Sequence, residues 1–168
     1  MYENATVYHL KANADYVVER LLGGVRDAEF TPCSKYQELS YGFVPVKKGS
    51  YLETRKKLAV FKVKLEKKVL SPTVLRQRVI EAVEDHKDLT GERLTKLQIE
   101  CLRKEIRTGL IPRAPKITTV IEVYIDTEQG CLVVNNQDTD VNKLFLQLFI
   151  QMVSSGKAGI MLENTVAA

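Results

Sequence analysis

Glu66-Lys67-Lys68 closes a lysine-studded stretch of this 168-residue chain, and Glu53 lies upstream of it. An acid-x-Lys tripeptide at a strand end, with another acid before it, can hold a divalent metal for phosphodiester hydrolysis. The carboxylates ligate the metal and the lysine steadies the attacking water. Glu53, Glu66 and Lys68 are therefore the candidate catalytic set of a metal-dependent nuclease. The pattern is short and arises by chance in a lysine-rich strand. That chemistry also wants an aspartate where Glu53 stands, and Glu53 falls on an expected turn. Solvated surface charge is the plainer reading. Glu122 and Asp126 share one face of an expected strand, with Asp138 and Asp140 near in sequence. These too read more plainly as an acidic edge than as a metal site. No GxGxxG, GxxxxGK[ST] or GxSxG occurs, so neither a nucleotide cradle nor a nucleophile elbow has support. With only His9 and His86, and with Cys33, Cys101 and Cys131 forming no CxxC, we expect no metal and no cofactor.

The same stretch offers a second chemistry, neutralisation of phosphate. Residues 46–70 carry nine cations against Glu53 and Glu66, a net +7 where the whole chain is +4. Phe61, Val63 and Leu65 alternate with Lys62, Lys64 and Glu66, the pattern of a half-buried strand with a basic open face. A lysine row on a sheet suits nucleic acid, an anionic lipid surface or an acidic protein. The plain alternative is an edge strand guarded by lysines against aggregation.

The elements that must position these residues follow from periodicity. Asn4–Leu10 reads as a strand and Ala12–Asp27 as a helix weakened by Gly23 and Gly24. Ser40–Val46 is a short strand ending at Pro45, Lys47–Thr54 a turn, and Lys57–Leu70 the basic strand. Ser71 can cap a helix with Pro72 at its first position. That helix should stop near Asp88, and Thr90-Gly91 should open another, with Glu92–Lys96 and Glu100–Lys104 pairs. Lys116–Asp126 and Gly130–Asn135 form a hairpin, Val141–Val153 a helix, and Ile160–Leu162 a last strand. The order predicts an α+β fold, a largely antiparallel sheet with packed helices and an inserted helical hairpin at about 71–110, in one domain over 1–168. No apolar run reaches membrane-spanning length and no secretory leader pattern is present. We expect reduced thiols and a cytoplasmic protein without a membrane.

Five phrases carry more than composition. They are Phe30-Thr31-Pro32-Cys33, Gly42-Phe43-Val44-Pro45, Leu70-Ser71-Pro72-Thr73-Val74, Ile111-Pro112-Arg113-Ala114, and Tyr124-Ile125-Asp126-Thr127 leading to Gly130 and Leu132-Val133-Val134. In order and separation they resemble the N-terminal half of the bacterial recombination-associated RdgC family, over about Asn4–Leu162. The resemblance implies a nucleoid-associated DNA-binding protein without sequence preference, a ring-shaped dimer with a basic channel, and restraint of RecA-driven recombination. Phage relatives are often labelled exonucleases. Members run to about twice this length. The basic residue of the fourth phrase corresponds to Arg113, while the aromatic that follows in the family is Pro115 here.

The resulting expectation is a sequence-nonspecific DNA binder acting in recombination or replication. The DNA-contacting candidates are Lys47, Lys48, Arg55, Lys56, Lys57, Lys62, Lys64, Arg113 and Lys116, with Arg76 as a lesser one. The alternatives are the metal-dependent DNA exonuclease and a module docking on a recombinase or phage protein. Val141–Val153 carries seven large apolar residues, more than one stripe needs, so a homodimer covering it is expected.

Overall fold

A computed structural model describes residues 5–153 and the backbone of Leu162–Thr165. The elements are β1 (Thr6–Leu10), α1 (Ala14–Gly24), β2 (Leu39–Val44), β3 (Glu53–Arg55), β4 (Leu58–Lys68), α2 (Pro72–Thr90), α3 (Lys96–Leu110), β5 (Lys116–Asp126), β6 (Cys131–Val134), α4 (Thr139–Val153) and β7 (Leu162–Thr165). A 3-10 turn, Ile111–Arg113, follows α3. The strands form one sheet in the order β2-β4-β5-β6-β1-β7, with β3 pairing on β4. The pairs β1–β6, β1–β7, β3–β4 and β5–β6 are antiparallel. The fold is α+β, as the sequence predicts.

The chain divides into two compact units. The first, Met1–Thr31, Tyr41–Leu65 and Thr118–Ala168, contains the core. Phe43, Phe61, Ile125, Leu132, Phe145 and Phe149 are fully buried there, with Val17 and Leu21 of α1. Phe43 and Phe61 meet edge to face at 6.2 Å between centroids, a favoured aromatic geometry. Asn13 caps α1 by accepting from the Tyr16 N–H. Asp138 Oδ1 accepts from the Asp140 and Val141 N–H groups, which starts α4 two residues before the expected Val141. Within α4, Phe145, Leu148, Phe149 and Val153 are buried and Ile150 is exposed. The helix thus places most of its apolar side chains in the core of its own unit.

The second unit, Pro32–Ser40 and Glu66–Ile117, is built around the hairpin of α2 and α3. Ser71 Oγ accepts from the Val74 N–H and Pro72 opens α2, as the sequence predicts. The start of α3 differs from expectation. Thr90 ends α2, and Gly91, in the left-handed region at φ 74°, caps it. The cap of α3 is Thr95, which exchanges bonds with Gln98 in a capping box. Glu92 lies outside either helix, so its expected i,i+4 helical pair with Lys96 does not arise. Of the hairpin's side chains only Leu75 is buried, and α3 buries none.

Two further differences concern the basic segment. Glu53–Arg55 is a strand, not part of a turn, and Lys56, at φ 57°, lies in the two-residue loop joining it to β4. The face expected to be open on β4 is half-covered: Lys62 and Lys64 are half-buried, and Glu66 and Lys68 are buried. Of the last expected strand, Ile160 and Met161 lie outside the described residues, and β7 begins at Leu162.

Candidate nucleic-acid interface

In the first unit the cations of the basic segment are largely paired. Glu53 lies between Lys47 Nζ at 2.5 Å and an Arg55 guanidinium nitrogen at 2.8 Å. The Arg55 hydrogen bond, then that of Lys47, hold its carboxyl down at about 2. Lys62 Nζ lies 3.1 Å from Glu122, which also accepts the Tyr124 hydroxyl at 2.6 Å; together they lower the Glu122 pKa, Tyr124 most. Lys57 pairs with Glu128 in the β5–β6 turn. Lys64 Nζ sits 4.7 Å above the Phe30 ring, a cation–π contact. This unit holds 12 Lys and Arg against 12 Asp and Glu, so its net charge is zero. The charge-rich sequence of β3 and β4 is thus locally neutralised.

The second unit holds 13 Lys and Arg against nine Asp and Glu, and carries the whole +4 of the chain. Its buried charges are tied to a loop. Glu66, 7% exposed, accepts the Cys33 N–H at 2.7 Å and lies 3.0 Å from Lys116 Nζ. Lys116 first, then the Cys33 N–H, lower the Glu66 pKa. Lys68, 5% exposed, donates to the Ser34 and Lys35 carbonyls at 2.7 and 2.6 Å. Cys33 is buried, and burial, then the neighbouring Glu66, push its thiol up. Arg107 grips Glu38 with two nitrogens and lowers its pKa.

These contacts give each member of the acid-x-Lys pattern a partner within the fold. Glu66 and Lys68 hold the 32–38 loop, and Glu53 is registered opposite Val60 with its oxygens on two cations. No group of three or more His, Cys, Asp or Glu side chains among the described residues is placed to hold a metal ion. Asp126 is committed to its own turn, accepting from the Glu128 and Gln129 N–H groups at 2.9 Å each, and Asp138 caps α4.

Five candidate cations are left for a partner, two of them in the first unit and three in the second. Lys48, Lys56, Arg76 and Arg113 are exposed and, among the described residues, have no carboxylate in ion-pairing distance; the same holds for Lys67, which the alternation places on the apolar side of β4. Lys67 is exposed because Glu66 and Lys68 face the loop that covers that end of the strand. No sequence signal marks that cover. Lys116 is exposed as a side chain while its Nζ is held by Glu66.

The five phrases are mostly architectural. Gly42 is required by a close approach: a Cβ there would lie 2.6 Å from the Phe30 nitrogen, where β2 and the 28–30 segment bond to each other. Gly130 adopts φ 63° to close the β5–β6 turn. The third and fourth phrases meet. The Val69 N–H donates to the Pro115 carbonyl at 2.9 Å, and Leu70, Ser71, Val74, Leu110 and Arg113 line one groove with them.

The fold and these phrases define an α+β protein with a helical hairpin inserted between two strands of its sheet. The family model described as "Putative exonuclease, RdgC" matches residues 1–165, and the chain belongs to the RdgC family. It is 31% identical over 119 residues to the recombination-associated protein RdgC of Shewanella denitrificans, covering 67% of this chain and 38% of that one. With the RdgC of Herminiimonas arsenicoxydans it shares 29% over 135 residues, covering 80% and 45%. With that of Haemophilus influenzae (strain PittGG) it shares 23% over 134 residues, covering 78% and 44%. The chain spans less than half the length of the curated relatives it matches. No helix among the described residues is long and apolar enough to cross a membrane.

Proposed function

We propose that this chain binds DNA without reading its sequence, acts in recombination and restrains RecA-type activity. The observation that carries the reading is the uncompensated +4 of the second unit, with Arg76, Arg113 and Lys67 exposed. Cations on exposed side chains neutralise phosphates and release counterions, which gives affinity without base readout. The names of the relatives support the process. A homodimer belongs to the same reading, with the exposed Leu89 and Leu97 of the hairpin, rather than α4, as the apolar surface available to it.

The family description favours an exonuclease as the second reading. One experiment separates the two. Purified protein is titrated onto labelled DNAs of unrelated sequence at low salt, with magnesium and then with chelator. Retardation of all sequences alike, without shortening, supports the binder. Chelator-sensitive shortening replaces it with the nuclease. No retardation at low salt leaves the module that docks on a recombinase.

A further inference from the structure

We propose that the groove at the start of α2 takes an unstacked nucleobase, so that the chain prefers single-stranded to fully paired DNA. This rests on the DNA-binding reading and names the form of DNA. The groove, about 340 Å³, is lined by Val69, Leu70, Val74, Leu110 and Pro115, with Arg113 and Ser71 beside them. Three features select the occupant. Its lining is apolar, which suits the face of a base and not a phosphate. None of its lining residues is a carboxylate, in a unit that also carries nine acidic side chains. Its charged lining residue is the exposed Arg113, and Lys67, also exposed, lies two residues before Val69 in the chain.

That combination fits a strand whose bases can turn inward while its phosphates stay on cations. A base packs against an arginine plane and apolar side chains when no aromatic is present. Paired bases are stacked inside the duplex and cannot enter the groove. Ser71 supplies a hydroxyl at the rim, but it already caps α2, so little discrimination among bases is expected.

The test uses the full chain and two labelled strands of equal length and charge, oligothymidylate and an abasic phosphodiester, in fluorescence anisotropy at fixed salt. The wild-type chain should bind the base-bearing strand at least about fivefold more tightly, the lower end of what one stacked base contributes. Val74→Gln should abolish that preference and leave abasic affinity unchanged. Val74 is exposed at the third position of α2, where glutamine completes a capping box with Ser71, so the variant should fold. Equal binding of both strands by the wild type overturns the groove and leaves the DNA-binding reading standing. So does a variant that loses both strands alike. No binding of either strand overturns both.

Discussion

The two units of this chain use charge and apolar surface in opposite ways. The first spends most of both internally. Its sheet and helices bury a continuous aromatic and aliphatic core, and its cations balance its carboxylates one for one. The second buries little beyond Cys33, Leu75 and Ile111 of its apolar side chains, leaves Leu97 70% and Leu89 86% exposed, and keeps all the surplus positive charge. The lysine density of a segment is thus a poor guide to its field. What counts is whether the fold supplies carboxylates opposite, as β5 does for Lys62 through Glu122.

Stability should break this comparison first if it is wrong. Phe149→Ala empties a fully buried site of the first unit and should cost about 3–5 kcal/mol. Leu97→Ala in the hairpin should change stability by no more than about 0.5 kcal/mol. Urea denaturation of both variants checks the contrast, and similar losses would show that the hairpin has a core of its own. Lys68→Met is expected next. It removes the donor of the Ser34 and Lys35 carbonyls, at about 1–3 kcal/mol, and should speed proteolysis of the 32–38 loop.

Charge sharpens the contrast further. Arg76→Gln with Arg113→Gln should lower the slope of log affinity against log salt by about 0.9 for each duplex phosphate that is no longer neutralised. Lys57→Gln, whose partner is Glu128, should change it less. A salt titration of retarded DNA reads all three proteins, and the reverse ranking would return the binding surface to the first unit.

The smallest effect concerns acid. Glu53 is held at about 2 against an unperturbed 4.5, mainly by Arg55 and then Lys47. A depressed folded pKa gives stability that is present above pH 4.5 and lost as pH falls toward 2. Glu53→Gln should therefore flatten the acid side of the stability profile within that window. Denaturant midpoints at stepped pH check it, and an unchanged acid limb would mean that the pairing contributes nothing.

Most elements were legible in the sequence because their signals are local. Alternation marked Phe61, Val63 and Leu65, and Ser71-Pro72 marked α2. The five phrases located the family because turns and close approaches demand particular residues. Three features were not legible for identifiable reasons. Glu53–Arg55 is three polar residues with no alternation to read, and only pairing with β4 makes it a strand. Thr95-x-x-Gln98 is a readable capping box, but Thr90-Gly91 resembles a start when Gly91 in fact stops the preceding helix. The burial of Glu66 and Lys68 depends on a loop that lies far earlier in the chain, and no window of sequence contains both. Of the candidate site, the cation types were visible and their availability was not. Availability is set by which carboxylate each one meets.

The glycines give the same lesson in terms of what substitution will tolerate. Gly42 acts as a sieve with a mesh finer than one methyl group. Its obstruction is backbone, the Phe30 nitrogen and Cα and the Ala28 carbonyl, which has no rotamer to swing away. Gly23, in α1, has nothing within 4 Å of where a Cβ would go. Alanine there should stabilise the chain by about 0.5–1 kcal/mol. A randomised library screened for folded protein would thus return glycine alone at position 42 and a broad set at position 23. Within β2, an ordinary-looking strand, position 42 would thus prove far less permissive than position 23 in α1.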